Sequence, residues 1–222
     1  MNDESDRILP ETKLTTTKQR WAREGKFLTG RVTRPESERL PPGQHLVKDW
    51  PVLDLGIQPT VARETWRLDV TGAIDNPVSW DWKAFMDQPQ TREVTDIHCV
   101  TTWSRYDNGW EGVLTRDLLA LVEPKADVHF VMLHSFDGYT TNLPLEDFAA
   151  EDAILAHSWN GAPLPREHGG PMRLVVPHLY FWKSAKWLKR IDFRPADQRG
   201  FWEERGYHDR GDPWTEERYS QD

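Results

Sequence analysis

Short apolar stretches recur from residue 66 to residue 193, either alternating with polar positions or clustering β-branched side chains. They predict strands over 66–72, 94–100, 128–134, 139–143, 154–159, 173–176 and 188–193. Helical periodicity is sparse. It predicts a helix over 81–86 with Ser79 upstream as its cap, a second over 116–122 with Thr115 as N-cap, and a short one over 15–26 around Trp21, stopped by Gly25. Turn signals separate the strands: Asp75-Asn76-Pro77, Asp107-Asn108-Gly109, Asp137-Gly138, Asn160-Gly161 and Gly169-Gly170-Pro171. Strands outnumber helices and do not alternate with them regularly, so the pattern predicts an α+β fold with a mixed sheet and short helices. One domain over 1–222 is expected, with 1–30 as a polar arm. Residues 34–56 are rich in Pro and Gly yet punctuated by Leu, Val and Trp, as an ordered irregular segment would be. The stretch 197–222 is charged but carries Phe201, Trp202, Tyr207, Trp214 and Tyr219. That density predicts an extension packed on the domain, placed so that it can cover part of a cleft.

Composition narrows the function classes. The formal net charge of −8 argues against nucleic acid as the main partner. A single cysteine rules out an internal disulfide. The start, MNDESDRILPETKL, has neither the apolar core of a secretory signal nor a twin-arginine motif, and no apolar run approaches the roughly 18 residues of a membrane span. A cytoplasmic protein is the plain expectation. Twelve tryptophans suit a Trp-rich core, with some of them available to line a ligand cleft.

The chain has no nucleophile elbow, Walker loop, HExxH, CxxC or GxGxxG, which removes most hydrolase, nucleotide and zinc readings. Two segments remain. In DIHCVTTWSR, residues 96–105, an apolar strand ends at Cys99 and opens into a polar, aromatic loop. A lone cysteine there is more often a small buried hydrophobe than a ligand. In HGGPMRLVVPHLYFWKSAKW, residues 168–187, a glycine-rich turn precedes Arg173, Lys183, Ser184 and Lys186. Those groups suit a phosphate, and equally a solvated basic stretch.

Together these segments resemble the sulfite-oxidase family of molybdopterin enzymes, particularly the bacterial branch typified by the methionine-sulfoxide reductase catalytic subunit. The order CVxxWS at Cys99–Ser104, DGY at 137–139 leading into NLPLED, then HGxPxRLVVP…KSxKW and the tail GFWEERGYHDRGDPW carries the likeness from about Trp66 to Trp214. The resemblance implies a sulfite-oxidase-type fold around one Mo-molybdopterin, with Cys99 as the protein's thiolate ligand to the metal. It implies that Arg173 pairs with the cofactor phosphate, and that His168, Ser184, Ala185 and Lys186 contact the pterin. Ser135 falls at, or within a residue or two of, a further contact, and Gln44 and His45 mark the N-terminal contacts. Trp103 and Arg105 are expected to shape the substrate mouth, Arg105 as an attractor of a polar or anionic substrate. The implied activity is two-electron oxygen-atom transfer on a small sulfur- or nitrogen-containing substrate, with a separate electron-transfer partner. A non-catalytic module that holds or carries the pterin is the other reading. The run WSRYDNGW after Cys99 lacks the arginine cluster of animal sulfite oxidases and plant nitrate reductases.

Overall fold

The computed structural model describes residues 34–221. The polar arm over 1–30 and the helix expected over 15–26 lie outside them. Among the described residues eleven strands form two sheets, each mixed in direction. In the first sheet β1 (His45–Leu46) runs parallel to β5 (Trp103–Leu114). That strand also pairs antiparallel with β4 (Thr91–His98) and with β8 (Ile154–Trp159), and β8 carries β9 (Ala162–Pro163) and β10 (Arg173–Val175). The second sheet runs β3 (Val78–Asp81), β2 (Arg67–Gly72), β11 (Leu188–Arg194), β6 (Phe130–Ser135), β7 (Thr140–Pro144), with β2 and β11 parallel. Three short helices complete the fold: α1 (Trp82–Met86), α2 (Thr115–Val122) and α3 (Leu145–Phe148). None is long and apolar enough to cross a membrane.

Period-two burial explains why the strands form. In RLDVTG of β2, Leu68 and Val70 are wholly buried between exposed neighbours, each worth about 1.5–3 kcal/mol of apolar transfer. These side chains join Trp66, Phe85, Leu118, Leu133, Phe148 and Ile191 in the main core. A second cluster gathers Trp50, Ile97, Cys99, Trp103, Trp110 and Val175 beneath the first sheet. All seven expected strands are present to within a few residues, and 154–159 is exact.

Three local expectations are corrected. The expected cap Ser79 instead bonds Asp69, and Asp81 caps α1 by accepting from Ala84 N at 2.8 Å. Thr115 is the first residue of α2, not its N-cap; its hydroxyl turns inward to the carbonyls of Phe148 and Ala153. The largest difference is β5, the longest strand, which runs straight through the expected Asp107-Asn108-Gly109 turn. Asp107 sits at φ 54°, and Arg105 to Asn108 lie opposite Ile97 to Thr95, so the strand carries one extra residue. That is a β-bulge, which uses turn-forming residues without reversing the chain. Asn108 closes it by donating to Thr95 O (3.2 Å) and Arg105 O (2.9 Å).

Candidate functional site

Where β4 ends, the chain makes a tight turn over Cys99, Val100, Thr101 and Thr102 before entering β5. Thr102 N donates to Cys99 O (3.0 Å), Cys99 N donates to Trp103 O (2.8 Å), and Thr102 adopts φ 74°. Gln44, on the segment that delivers β1, donates from Nε2 to Cys99 O (3.1 Å) and accepts from Ser104 Oγ (3.3 Å). The backbone around the cysteine is thus held from both sides. Cys99 lines a cavity of about 330 Å³ together with Thr101, Trp103, Trp50, Arg173 and Tyr207 among others. Burial pushes the Cys99 thiol up, opposed by hydrogen bonds from Thr101 and by the nearby Arg218.

The cavity's cationic end comes from the segment 168–187. Gly169 adopts φ 108°, and a Cβ on Gly170 would meet Leu164 O at 2.3 Å, so this turn must be glycine to fold against the loop before it. The turn returns into β10, whose first residue is Arg173. Its guanidinium is 2% exposed and donates to His168 O (2.8 Å), Ser184 O (2.7 Å) and Leu174 O (3.2 Å). It lies 4.1 Å over the Phe181 ring. No carboxylate lies within ion-pair distance of it among the described residues, and burial alone brings its pKa down to about 9. A buried cation held only by carbonyls carries an uncompensated charge, which an anion entering the cavity would neutralise. Lys186 stands beside it, donating to Leu53 O (2.6 Å) and Glu167 O (2.9 Å), with burial and then Arg173 lowering its pKa to about 8. His168 stacks on Trp50 with ring centroids 3.8 Å apart and planes 5° from parallel. Burial and then Arg173 hold its pKa down to about 4, so the ring is neutral at physiological pH.

The cavity lining is also aromatic, and the C-terminal extension contributes two of its rings. Trp202 and Tyr207 line the cavity with Trp182 and Tyr139, and Tyr139 OH donates to Trp182 O (2.7 Å). The extension is therefore part of the site. It is pinned by the fully buried ion pair of Lys183 with Glu203 (2.6 Å) and by Arg210 on Asp147 (3.0 Å).

Of the residues singled out from the sequence, the fold brings Cys99, Trp103, His168, Arg173, Ser184 and Lys186 to one cavity. Ser184 lines it with its hydroxyl engaged by the backbone, and Ala185, Ser135, Gln44, His45 and Arg105 fall elsewhere. Ser184 Oγ accepts from Val176 N (2.9 Å), and Ala185 is buried with its carbonyl taken by Leu174 N. Ser135 is buried off the cavity with its Oγ unpartnered, while Asp137, two residues on, does line it. Gln44 acts behind the cysteine turn, and His45 is exposed on β1. Arg105 is turned away, bonding Lys48 O (3.1 Å) and the Asn108 side chain beneath Trp159. Sequence reasoning did not single out Trp50; it named Asp137 only as part of a turn and motif, and Tyr207 only within an aromatic tail able to cover part of a cleft. The available signals were the apolar punctuation of 34–56, the DGY turn and the aromatic density of the tail.

Among the described residues no group of three His, Cys, Asp or Glu side chains converges as a metal site. A metal at Cys99 would take its other ligands from a cofactor. Residues 55–202 match the family model described as the oxidoreductase molybdopterin binding domain. The chain belongs to this family. It is 47% identical over 188 residues to the uncharacterized oxidoreductase YuiH of Bacillus subtilis, covering 84% of this chain and 95% of that one. It is 26% identical to the protein-methionine-sulfoxide reductase catalytic subunit MsrP of Campylobacter jejuni, over 63% of this chain and 52% of that protein. With human mitochondrial sulfite oxidase it shares 36% identity over 44% of this chain and 20% of that protein. The chain thus spans about half of the former and a fifth of the latter. A solved structure of the sulfane dehydrogenase SoxCD from Paracoccus pantotrophus superposes with a TM-score of 0.58 at 21% identity, covering 63% of this chain and 40% of that one, a likeness of fold.

As a molybdopterin-binding oxidoreductase domain of the sulfite-oxidase type, the chain takes molybdopterin as its cofactor. The cavity's chemistry fits that group: its lining combines a buried guanidinium without a carboxylate partner among the described residues, a lysine, aromatic and apolar side chains and a thiol. Lys186 adds a pH dependence. Protonated below about pH 8, it strengthens anion binding there, so affinity for the cofactor's phosphate end should fall as pH rises through that value. Titration calorimetry of cofactor-free wild type and Lys186→Gln with sulfate, whose charge is fixed, at pH 7 and 8.5 checks this; equal affinities at both pH values in wild type contradict it.

Proposed function

We propose that the chain catalyses two-electron oxygen-atom transfer on a small sulfur- or nitrogen-containing substrate of the sulfite or sulfoxide type, with Cys99 as the thiolate ligand to molybdenum. The observation that carries this reading is that the sequence's single cysteine, on a hydrogen-bonded turn, lines the same cavity as Arg173 and Lys186. The names of the sulfoxide reductase and sulfite oxidase relatives support the substrate class.

When bound, the cofactor supplies the two-electron redox chemistry, and the protein supplies binding, orientation and electrostatics. Arg173, Lys186 and the neutral His168 would hold the phosphate, while Trp50 and Phe181 pack around the guanidinium that meets it. Trp103, Trp182, Trp202 and Tyr207 exclude water from the space beside Cys99. The overall balance is either sulfoxide plus two electrons and two protons giving sulfide and water, or sulfite plus water giving sulfate, two protons and two electrons. Either direction requires a separate electron carrier, and exposed Leu53 and Ile57 beside the cavity-lining segment offer apolar surface for one.

The test is single turnover followed by the metal–dithiolene absorption. Reduced holoprotein mixed with an alkyl sulfoxide, an amine N-oxide or nitrate, and oxidised holoprotein mixed with sulfite, are compared with the same mixtures of Cys99→Ser. A substrate-dependent spectral change in wild type that Cys99→Ser lacks supports the proposal. No response to any sulfur or nitrogen oxide sinks it and favours the carrier reading.

A further inference from the structure

One polar group beside Cys99 has no part in the binding scheme above. Thr101 Oγ1 lies 3.1 Å from Cys99 Sγ. The turn that fixes this contact is tethered throughout: Thr102 N and Gln44 Nε2 both donate to Cys99 O, and Arg218 Nη1 donates to Val100 O (2.6 Å). Thr101 lines the cavity yet is exposed, so its side chain is not a packing element of the core.

A thiolate only accepts hydrogen bonds, so opposite a metal-bound sulfur the Thr101 hydroxyl must be the donor. Such a bond draws electron density from the sulfur and weakens its donation to the metal. Hydrogen bonds to ligand sulfurs are among the protein's means of tuning redox potential. We propose that Thr101 is a positioning residue whose hydroxyl donates to the Cys99 thiolate and raises the reduction potential of the metal that sulfur ligates. The inference rests on the reading of Cys99 as ligand.

Thr101→Val keeps the shape and removes the donor, whereas Thr101→Ser keeps the donor. Holoprotein of both, with wild type and Cys99→Ser, is assayed for molybdenum and pterin per chain, for the thiolate-to-metal charge-transfer band and for reduction potential. Thr101→Val is expected to retain its metal, shift the band to longer wavelength and lower the potential, while Thr101→Ser stays at the wild-type values. A Thr101→Val protein indistinguishable from wild type, or equal shifts in both variants, overturns the inference. Cys99→Ser separates the two levels. If it loses the band while Thr101→Val changes nothing, only the role of Thr101 falls. If it keeps the band, the ligand reading falls and takes Thr101 with it.

Discussion

Arg173→Met is expected to weaken pterin binding by about thirty-fold or more, and so to lower the pterin retained per chain, the effect of losing a buried charge-assisted pair worth roughly 2–5 kcal/mol at about 1.4 kcal/mol per tenfold. The reason lies in how the guanidinium is held. Its hydrogen bonds to His168, Ser184 and Leu174 all go to neutral carbonyls, so they orient the group without neutralising it. Only an anion completes the site. In cofactor-free protein the substitution has two opposed consequences. It relieves a buried unpaired charge and leaves the carbonyls short of a donor, at about 1–3 kcal/mol for each left unsatisfied. Thermal stability of the empty protein should therefore move little, while the stabilisation wild type gains on loading disappears. Arg173→Lys keeps charge but not the planar fork, and is expected to fall between the two. Pterin released on denaturation, measured per chain, checks all three; wild-type retention by Arg173→Met would remove the phosphate role.

The second large effect is expected at the wall contributed by the C-terminal extension. Lys183 and Glu203 pair with no exposure of either side chain, and Lys183 Nζ also donates to Asn142 O (3.1 Å) and Asn142 Oδ1 (2.9 Å). Glu203 Oε1 accepts from Thr141 Oγ1 (2.8 Å) and Trp182 Nε1 (3.0 Å). Burial lowers the Lys183 pKa, and the adjacent Glu203 opposes that shift. Lys183→Met strands Glu203 as an uncompensated buried charge and should cost about 3–5 kcal/mol. Because Glu203 lies between Trp202 and Tyr207 in sequence, the same change is expected to loosen the aromatic wall. Denaturant unfolding gives the energy, and proteolysis within 197–222 gives the location. Adding Glu203→Leu to Lys183→Met should recover much of the loss by removing the stranded charge. Failure of the double variant to recover would place the cost in packing around Trp182 instead.

The lysine also shows where reading the sequence stops. In the run from Arg173 to Lys186 all the basic groups look alike as a phosphate-binding cluster. The fold sends Arg173 and Lys186 into the cavity and Lys183 into a private ion pair with a residue 20 positions on. Side-chain direction depends on the short helical turn Phe181–Lys183, which no periodicity announces. The strands were legible because burial on one face imposes alternation, as in β2. β5 was not, because its bulge uses the residues of a turn. That Cys99 and the segment of Arg173 and Lys186 meet at one cavity was legible through motif order. Ser135 and Asp137 differ by a register of two that only the β6–β7 hairpin resolves. Arg105 looked like a substrate attractor from its nearness to Cys99 in sequence. The bulge at Asp107 and the Asn108 side chain instead hold it under Trp159. Trp50 reaches the site from far upstream by stacking on His168, a contact between distant segments with no local signature.

The proposed oxygen-atom transfer depends on one proposed bond, between Cys99 and molybdenum. X-ray absorption at the molybdenum edge, on wild type and Cys99→Ser purified from a molybdate-supplemented host, measures it directly. The predicted result is near-stoichiometric molybdenum in wild type and one fewer sulfur ligand in whatever metal the serine variant retains. An identical sulfur shell in both proteins, or folded wild type reproducibly free of molybdenum and pterin, would contradict it.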